Sequence, residues 1–162
     1  MKQLTRRFFE RNSIEVAPDL LNKLLVIAGI SARIIEVEAY TQDDPASHSF
    51  RGQTKRNAVM FGPAGHLYVY FVYGMHYCAN IVTGVEGDGQ AVLVRAVICD
   101  GVDPRSTNGP AKLCRVLGID MSLNGASAIV CDDGTPPPEE PDITSRIGIS
   151  KATDLPRRWM LP

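Results

Sequence analysis

The sequence predicts an α+β fold: a single domain over residues 1–162, built on an irregular, mostly antiparallel β-sheet with flanking helices and a protruding β-hairpin. Three observations carry that expectation. The chain has 162 residues, 44% of them hydrophobic and 22% charged. A domain near 150 residues buries roughly 70% of its unfolded surface, so one core can form without disulfides or metal. Arg33 to Tyr40 alternates with period two, and two further β-prone runs, His66–Val72 and Cys78–Thr83, flank a short Gly74-containing connection that reads as a hairpin.

Taken in order, Phe8 to Leu25 is helical in pattern but interrupted by Pro18, which predicts two short helices near Thr5–Asn12 and Ala17–Lys23. Leu24–Gly29 and Ser31–Tyr40 follow as strands joined by a tight turn. In the second, Ile35, Val37 and Ala39 fall on one face, and Glu36, Glu38 and Tyr40 on the other. Thr41 to Thr54 is polar and loop-like, and Lys55–Met60 has room for one helical turn before Gly62-Pro63-Ala64-Gly65. After the hairpin come a buried strand at Gln90–Cys99 and a helix at Gly109–Leu117, opened by Pro110 and closed by Gly118. Short strands at Ala128–Asp132 and Ser145–Ile149 complete the set.

Composition excludes several classes. No apolar run approaches the ~18 residues that span a bilayer. The basic N-terminus lacks an apolar signal core, so an intracellular protein without a membrane partner is expected. Cys78, Cys99, Cys114 and Cys131 stand 21, 15 and 17 residues apart, without the close pairing of zinc or redox motifs. Each follows an apolar residue, as small core side chains do; neither a metal nor a cofactor is expected. A formal net charge of −1 excludes a uniformly basic nucleic-acid binder. The distribution is uneven, however. Between Pro45 and Val85 there is no Asp or Glu, while Arg51, Lys55, Arg56 and the tyrosines Tyr68, Tyr70, Tyr73 and Tyr77 all lie there. Aromatics beside cations in a carboxylate-free zone suit base stacking and phosphate neutralisation. Tyr68 and Tyr70 also fit an ordinary strand, and Tyr68 reads as a packing residue.

Glu36 and Glu38 share one strand face, about 6–7 Å apart by strand geometry, with no adjacent Lys or Arg on that face. A carboxylate beside aromatics can act as a general base toward water. The alternatives are two solvent-facing strand residues, or a Glu36 paired with Arg33 or Arg95. Tyr40, two residues on, and His48 in the next loop favour a site.

Larger motifs extend this pattern. Glu36-Val37-Glu38-Ala39-Tyr40 is followed in order by His48-Ser49, Thr54-Lys55-Arg56-Asn57, Gly65-His66-Leu67-Tyr68-Val69-Tyr70, Tyr73-Gly74-Met75, Cys78-Ala79-Asn80, Val92-Leu93-Val94-Arg95-Ala96 and Gly109-Pro110-Ala111-Lys112-Leu113-Cys114. Together these resemble the alkyladenine (3-methyladenine, or methylpurine) DNA glycosylase family from about Leu20 to Ile149. The resemblance implies one glycosylase domain, in the cytoplasm or nucleoid (the nucleus in a eukaryote), acting as a monomer on double-stranded DNA that contains damaged purines. The implied reaction removes 3-methyladenine or 7-methylguanine, with hypoxanthine a further candidate, and leaves an abasic site without strand cleavage.

It also implies roles. Glu38 is the general base; Arg95 and the carbonyl of Ile147 place the water. Tyr40 and His48 sandwich the flipped base, with Tyr70 edge-on and Asn80 beneath it. Tyr73 enters the minor groove, flanked by Met75 and His76, while Thr54, Arg56 and Lys112 meet phosphates. Glu36 supports the site without reacting. Two rivals remain: a non-catalytic damage-binding module, and a nucleoside or glycoside hydrolase using Glu36 and Glu38 as an acid–base pair.

Overall fold

The computed structural model describes residues 1–72 and 75–162. Within them the chain runs β1 (Lys2–Gln3), α1 (Arg6–Phe9), α2 (Ser13–Leu20), β2 (Leu24–Ile27), β3 (Ile30–Tyr40), β4 (Leu67–Val72), β5 (His76–Val82), β6 (Ala91–Cys99), α3 (Pro110–Leu117), β7 (Ile129–Asp132), β8 (Asp142–Thr144) and β9 (Arg158–Met160). A single-turn 3-10 helix, Ala58–Phe61, stands near the helical turn expected at Lys55–Met60. The strands form one antiparallel sheet in the order β1-β7-β2-β3-β6-β5-β4, with β9 paired to β3 and β8 to β9. The α+β class is as expected, and β4 and β5 form the hairpin.

The centre of the sheet is β3. Ala28 and Gly29 turn into it with φ of +48° and +80°, a two-residue connection with the hand that matches strand twist. Its first residues pair with β2, whereas Glu36–Glu38 pair with β9; β6 lies along its other edge throughout. Ile34 faces Val97, Glu36 faces Ala96 and Val37 faces Val94. Ile35 is thus an extra residue on β3, and Arg95 an extra residue on β6. The two bulges compensate. Burial switches phase from Ala32 and Ile34 to Val37 and Ala39 on β3, and from Val92 and Val94 to Val97 and Cys99 on β6. Ile35 therefore leaves the core face that strict alternation predicts, because a bulge shifts the side-chain alternation by one. Arg95 is aimed at Glu36 and Glu38.

Two further expectations are corrected. Pro18 does not split the N-terminal helix but lies inside α2. Only its last turn follows the ring, so one carbonyl loses a partner, while the Asn12 side chain caps Ile14 N–H at 2.9 Å. Val16, Ala17 and Leu20 are wholly buried in the same core as Ile34, Val37 and Ala39. Burial of that face outweighs the lost hydrogen bond. Ser145–Ile149 is not a strand; β8 ends at Thr144, and the next residues turn to interior partners described below. Helix α3 forms as expected, with Gly118 closing it at φ +71°. All four cysteines are buried with free thiols.

Candidate active site

Glu38 lies on β3 between two strands, its backbone opposite Leu93 on β6 and Arg158 on β9. Its side chain is wholly buried. The Tyr40 hydroxyl donates to Oε1 at 2.8 Å, and the Ile147 amide donates to Oε2 at 2.8 Å. Arg95 Nη1 stands 3.5 Å from the same Oε2. Both carboxylate oxygens are thus oriented by named donors, which fixes the plane in which their remaining lone pairs point. Glu36 differs. Arg158 Nη1 donates to its Oε2 at 2.6 Å, with Arg95 Nε 3.6 Å away. The expectation of a face without matching cations is therefore wrong, because β9 brings Arg158 from far along the chain. Arg33 instead reaches Asp133 at 2.6 Å.

Tyr40, Arg95 and Ile147, the partners of Glu38, line a cleft of about 980 Å³ whose walls also include His48, Tyr68, Tyr70 and Asn80, while Glu38 itself lies behind them. His48 Nδ1 is 3.0 Å from the Tyr68 hydroxyl, and its ring meets Tyr70 edge-on with centroids 4.4 Å apart. His48 stays exposed on the cleft wall. Partial burial, then the charge of Arg56, hold its pKa below the ordinary imidazole value, so it is neutral at pH 7. Burial pushes the Tyr68 phenol up to about 12. Tyr40 and Tyr70 are raised further, Tyr40 by burial and then by Glu38, Tyr70 by burial and then by Cys78. The aromatic wall is uncharged at neutral pH. Asn57, itself buried, donates Nδ2 to the carbonyls of His48 and Gly52 at 2.9 and 3.0 Å, which anchors the His48 loop.

The structure places Tyr40, His48, Tyr70, Asn80, Arg95 and Ile147 on the wall of this cleft, with Glu38 buried behind Tyr40, Arg95 and Ile147, and the exposed Thr54 and Arg56 also line it. Asn80 Nδ2 donates to the Tyr68 carbonyl at 3.2 Å, and Arg56 donates to the Phe71 carbonyl at 2.9 Å. Other candidates stand apart. Met75 is 80% exposed and, with His76, borders a separate groove beside α3. Lys112 is exposed on α3, donating Nζ to the Arg105 carbonyl and to Asn108. Tyr73 lies outside the described residues.

Sequence reasoning missed Asp44 and Arg146, wholly buried partners in a bidentate ion pair beside Tyr40. Tyr68 is buried in a hydrophobic cluster, as a packing residue is expected to be, and its hydroxyl also reaches His48. An isolated Asp or Arg in a polar loop carries no signal of burial, so only the fold reveals the pair.

A buried, doubly oriented carboxylate behind the wall of a neutral aromatic cleft, set on an antiparallel α+β sheet, is a candidate general base for hydrolysis. Residues 7–162 match the model of the methylpurine-DNA glycosylase family. A relative from Methanoculleus marisnigri is 50% identical over 98% of this chain and 94% of its own length. Relatives from Burkholderia lata and Carboxydothermus hydrogenoformans are each 46% identical over 98% of this chain, covering 87% and 94% of their own lengths. All three are provisionally named 3-methyladenine DNA glycosylases. The chain belongs to the methylpurine-DNA glycosylase family, and its enzyme class is that of a DNA glycosylase. Among the described residues no helix is long and apolar enough to cross a membrane.

Proposed function

We propose that this glycosylase hydrolyses the N-glycosidic bond of alkylated purines in double-stranded DNA, 3-methyladenine and 7-methylguanine first, with hypoxanthine a further substrate. The base leaves the stack, enters the cleft, and water directed by Glu38 attacks the anomeric carbon. The observation that carries this reading is the Glu38 carboxylate, oriented at both oxygens by Tyr40 and Ile147 and buried directly behind these two residues, which line the aromatic cleft. A base in duplex cannot be attacked, so it must be extruded at a cost of a few kcal/mol. A residue filling the vacated minor-groove space offsets part of that cost; we assign this to Tyr73, with Met75 and His76 beside it. Tyr40, His48 and Tyr70 receive the base. A cationic purine between aromatic faces gains up to roughly 2 kcal/mol when desolvated. The positive charge also weakens the glycosidic bond, so one carboxylate suffices and the product is an abasic site. Glu36, held by Arg158 and Arg95, supports the site as a neighbour. Thr54, Arg56 and Lys112 are assigned to phosphates.

The test is excision from a labelled duplex carrying one alkylated purine, beside hypoxanthine and undamaged controls. Strand cleavage is read before and after alkali. Lesion-dependent cleavage that needs alkali is expected in the wild type. In Glu38→Gln it falls by about 10²–10⁴, the usual worth of a positioned base, with duplex affinity within a few-fold. Undiminished turnover in Glu38→Gln would remove Glu38 as the base, and binding without excision in the wild type would make the protein a damage-binding module.

A further inference from the structure

Arg146 stands immediately before Ile147, whose amide holds Glu38. Its guanidinium is wholly buried, and so is Asp44, with which it forms a two-pronged ion pair. Two terminal donors also reach backbone carbonyls, while the buried Nε has no hydrogen-bond partner. Nη1 also reaches the carbonyl of Ala39 at 3.2 Å, and Nη2 the carbonyl of Ala152 at 3.3 Å. The guanidinium carbon lies over the Tyr40 ring, 4.8 Å from the ring centroid. Asp44 adds a turn of its own, accepting from the Ala46 amide at 2.9 Å, and Arg157 approaches it to 3.7 Å.

Each of these contacts ends on a segment that supplies part of the site. Asp44 is in the loop that carries His48; Ala39 separates Glu38 from Tyr40 on β3; Ala152 belongs to the segment that carries Ile147. A buried ion pair is a poor device for stability alone, because desolvation of both charges consumes most of the attraction. It is a good device for geometry, since the planar fork of arginine tolerates few orientations. We propose that Arg146 and Asp44 are positioning residues, a clamp that sets the plane of the Tyr40 ring and the place of the Ile147 amide against Glu38. The clamp touches neither base nor water. This inference rests on the reading of Glu38 as the base.

Arg146→Lys keeps the charge but loses the fork and the guanidinium over Tyr40. Asp44→Asn keeps the size and the bond to Ala46 but removes the charge. Each variant, and the double variant, is compared with wild type on the lesion duplex in single turnover, at a temperature where circular dichroism shows all proteins folded. Affinity is measured on a duplex carrying an abasic-site analogue. Excision should fall tenfold or more in each single variant, with affinity within threefold, and the double variant should be no slower than the slower single. Rates within twofold of wild type in folded variants would overturn the inference, as would equal losses in rate and affinity. If Arg146→Lys does not fold, Asp44→Asn decides alone; if neither folds, the pair serves stability and the proposal is wrong. A wild type that does not excise fails the reading of Glu38 instead, before any variant is considered.

Discussion

Glu38 and His48 illustrate how a side chain's surroundings set what it can do. Glu38 is a carboxylate without free rotation: Tyr40 and Ile147 hold one oxygen each, which fixes the direction in which the general base of the proposed function would act. Partial burial and then Arg56 hold the His48 pKa below the ordinary imidazole value, which in the proposed function spares a cationic base the repulsion of a charged ring. The same shift has a stability consequence. Its folded pKa lies below the unfolded value of about 6.5, so below that pH the unfolded chain binds more protons at this position and stability falls as pH decreases. Urea denaturation from pH 8 to 5 should therefore show a loss of stability on acidification that is smaller in His48→Gln. Parallel pH profiles for the two proteins would contradict the assignment of a lowered pKa.

At the scale of elements, β3 and its turn do most of the positioning. The paired bulges at Ile35 and Arg95 let the core faces of β3 and β6 stay aligned while Arg95 swings toward the glutamates. Such bulges often re-aim a side chain next to a site. The turn into β3 contains a local conflict: Ala28 sits at φ +48°, a left-handed conformation that costs an L-residue with a Cβ roughly 1–2 kcal/mol. Ala28→Gly should relieve it and raise stability by up to about 1 kcal/mol after the entropy of the added glycine is set against it. The urea midpoint should rise with unchanged slope; a lower midpoint would show that Ala28 is better accommodated than its dihedral suggests.

For the whole molecule, a net charge of −1 conceals polarity. The acid-free stretch from Pro45 to Val85 supplies the cleft rim with Arg51 and Arg56, whereas Asp132 and Asp133 lie at the opposite end of the sheet order, on and after β7. A DNA-binding face on one side only is consistent with a near-neutral chain. Affinity for duplex should then fall with rising salt, with a modest slope. Arg56→Ala should reduce that slope by about one, as loss of one phosphate contact does. A slope that Arg56→Ala leaves unchanged would confine Arg56 to its bond with the Phe71 carbonyl.

What the sequence by itself determined is local or periodic. The alternation of β3, the hairpin runs, Pro110 and Gly118 around α3, and the ordered motifs marking the family all depend on neighbours within a few residues. Glu38 and Tyr40 can be singled out as neighbours on one strand face, whereas His48, alone in a polar loop, is raised only by Tyr40 and the ordered family motifs. The tertiary structure decided everything that depends on residues remote in the chain. Arg158 neutralises Glu36 and Arg146 meets Asp44 across separations of 122 and 102 residues. The expected strand at Ser145–Ile149 failed for the same reason: the Arg146 side chain and the Ile147 amide are drawn to Asp44 and Glu38 rather than to a strand ladder. Pro18 likewise stayed helical because burial of one face outweighs a single missing donor. Local pattern specifies which backbone a segment favours, but a buried charge must find its counterion wherever the fold places it, and no spacing rule records that distance.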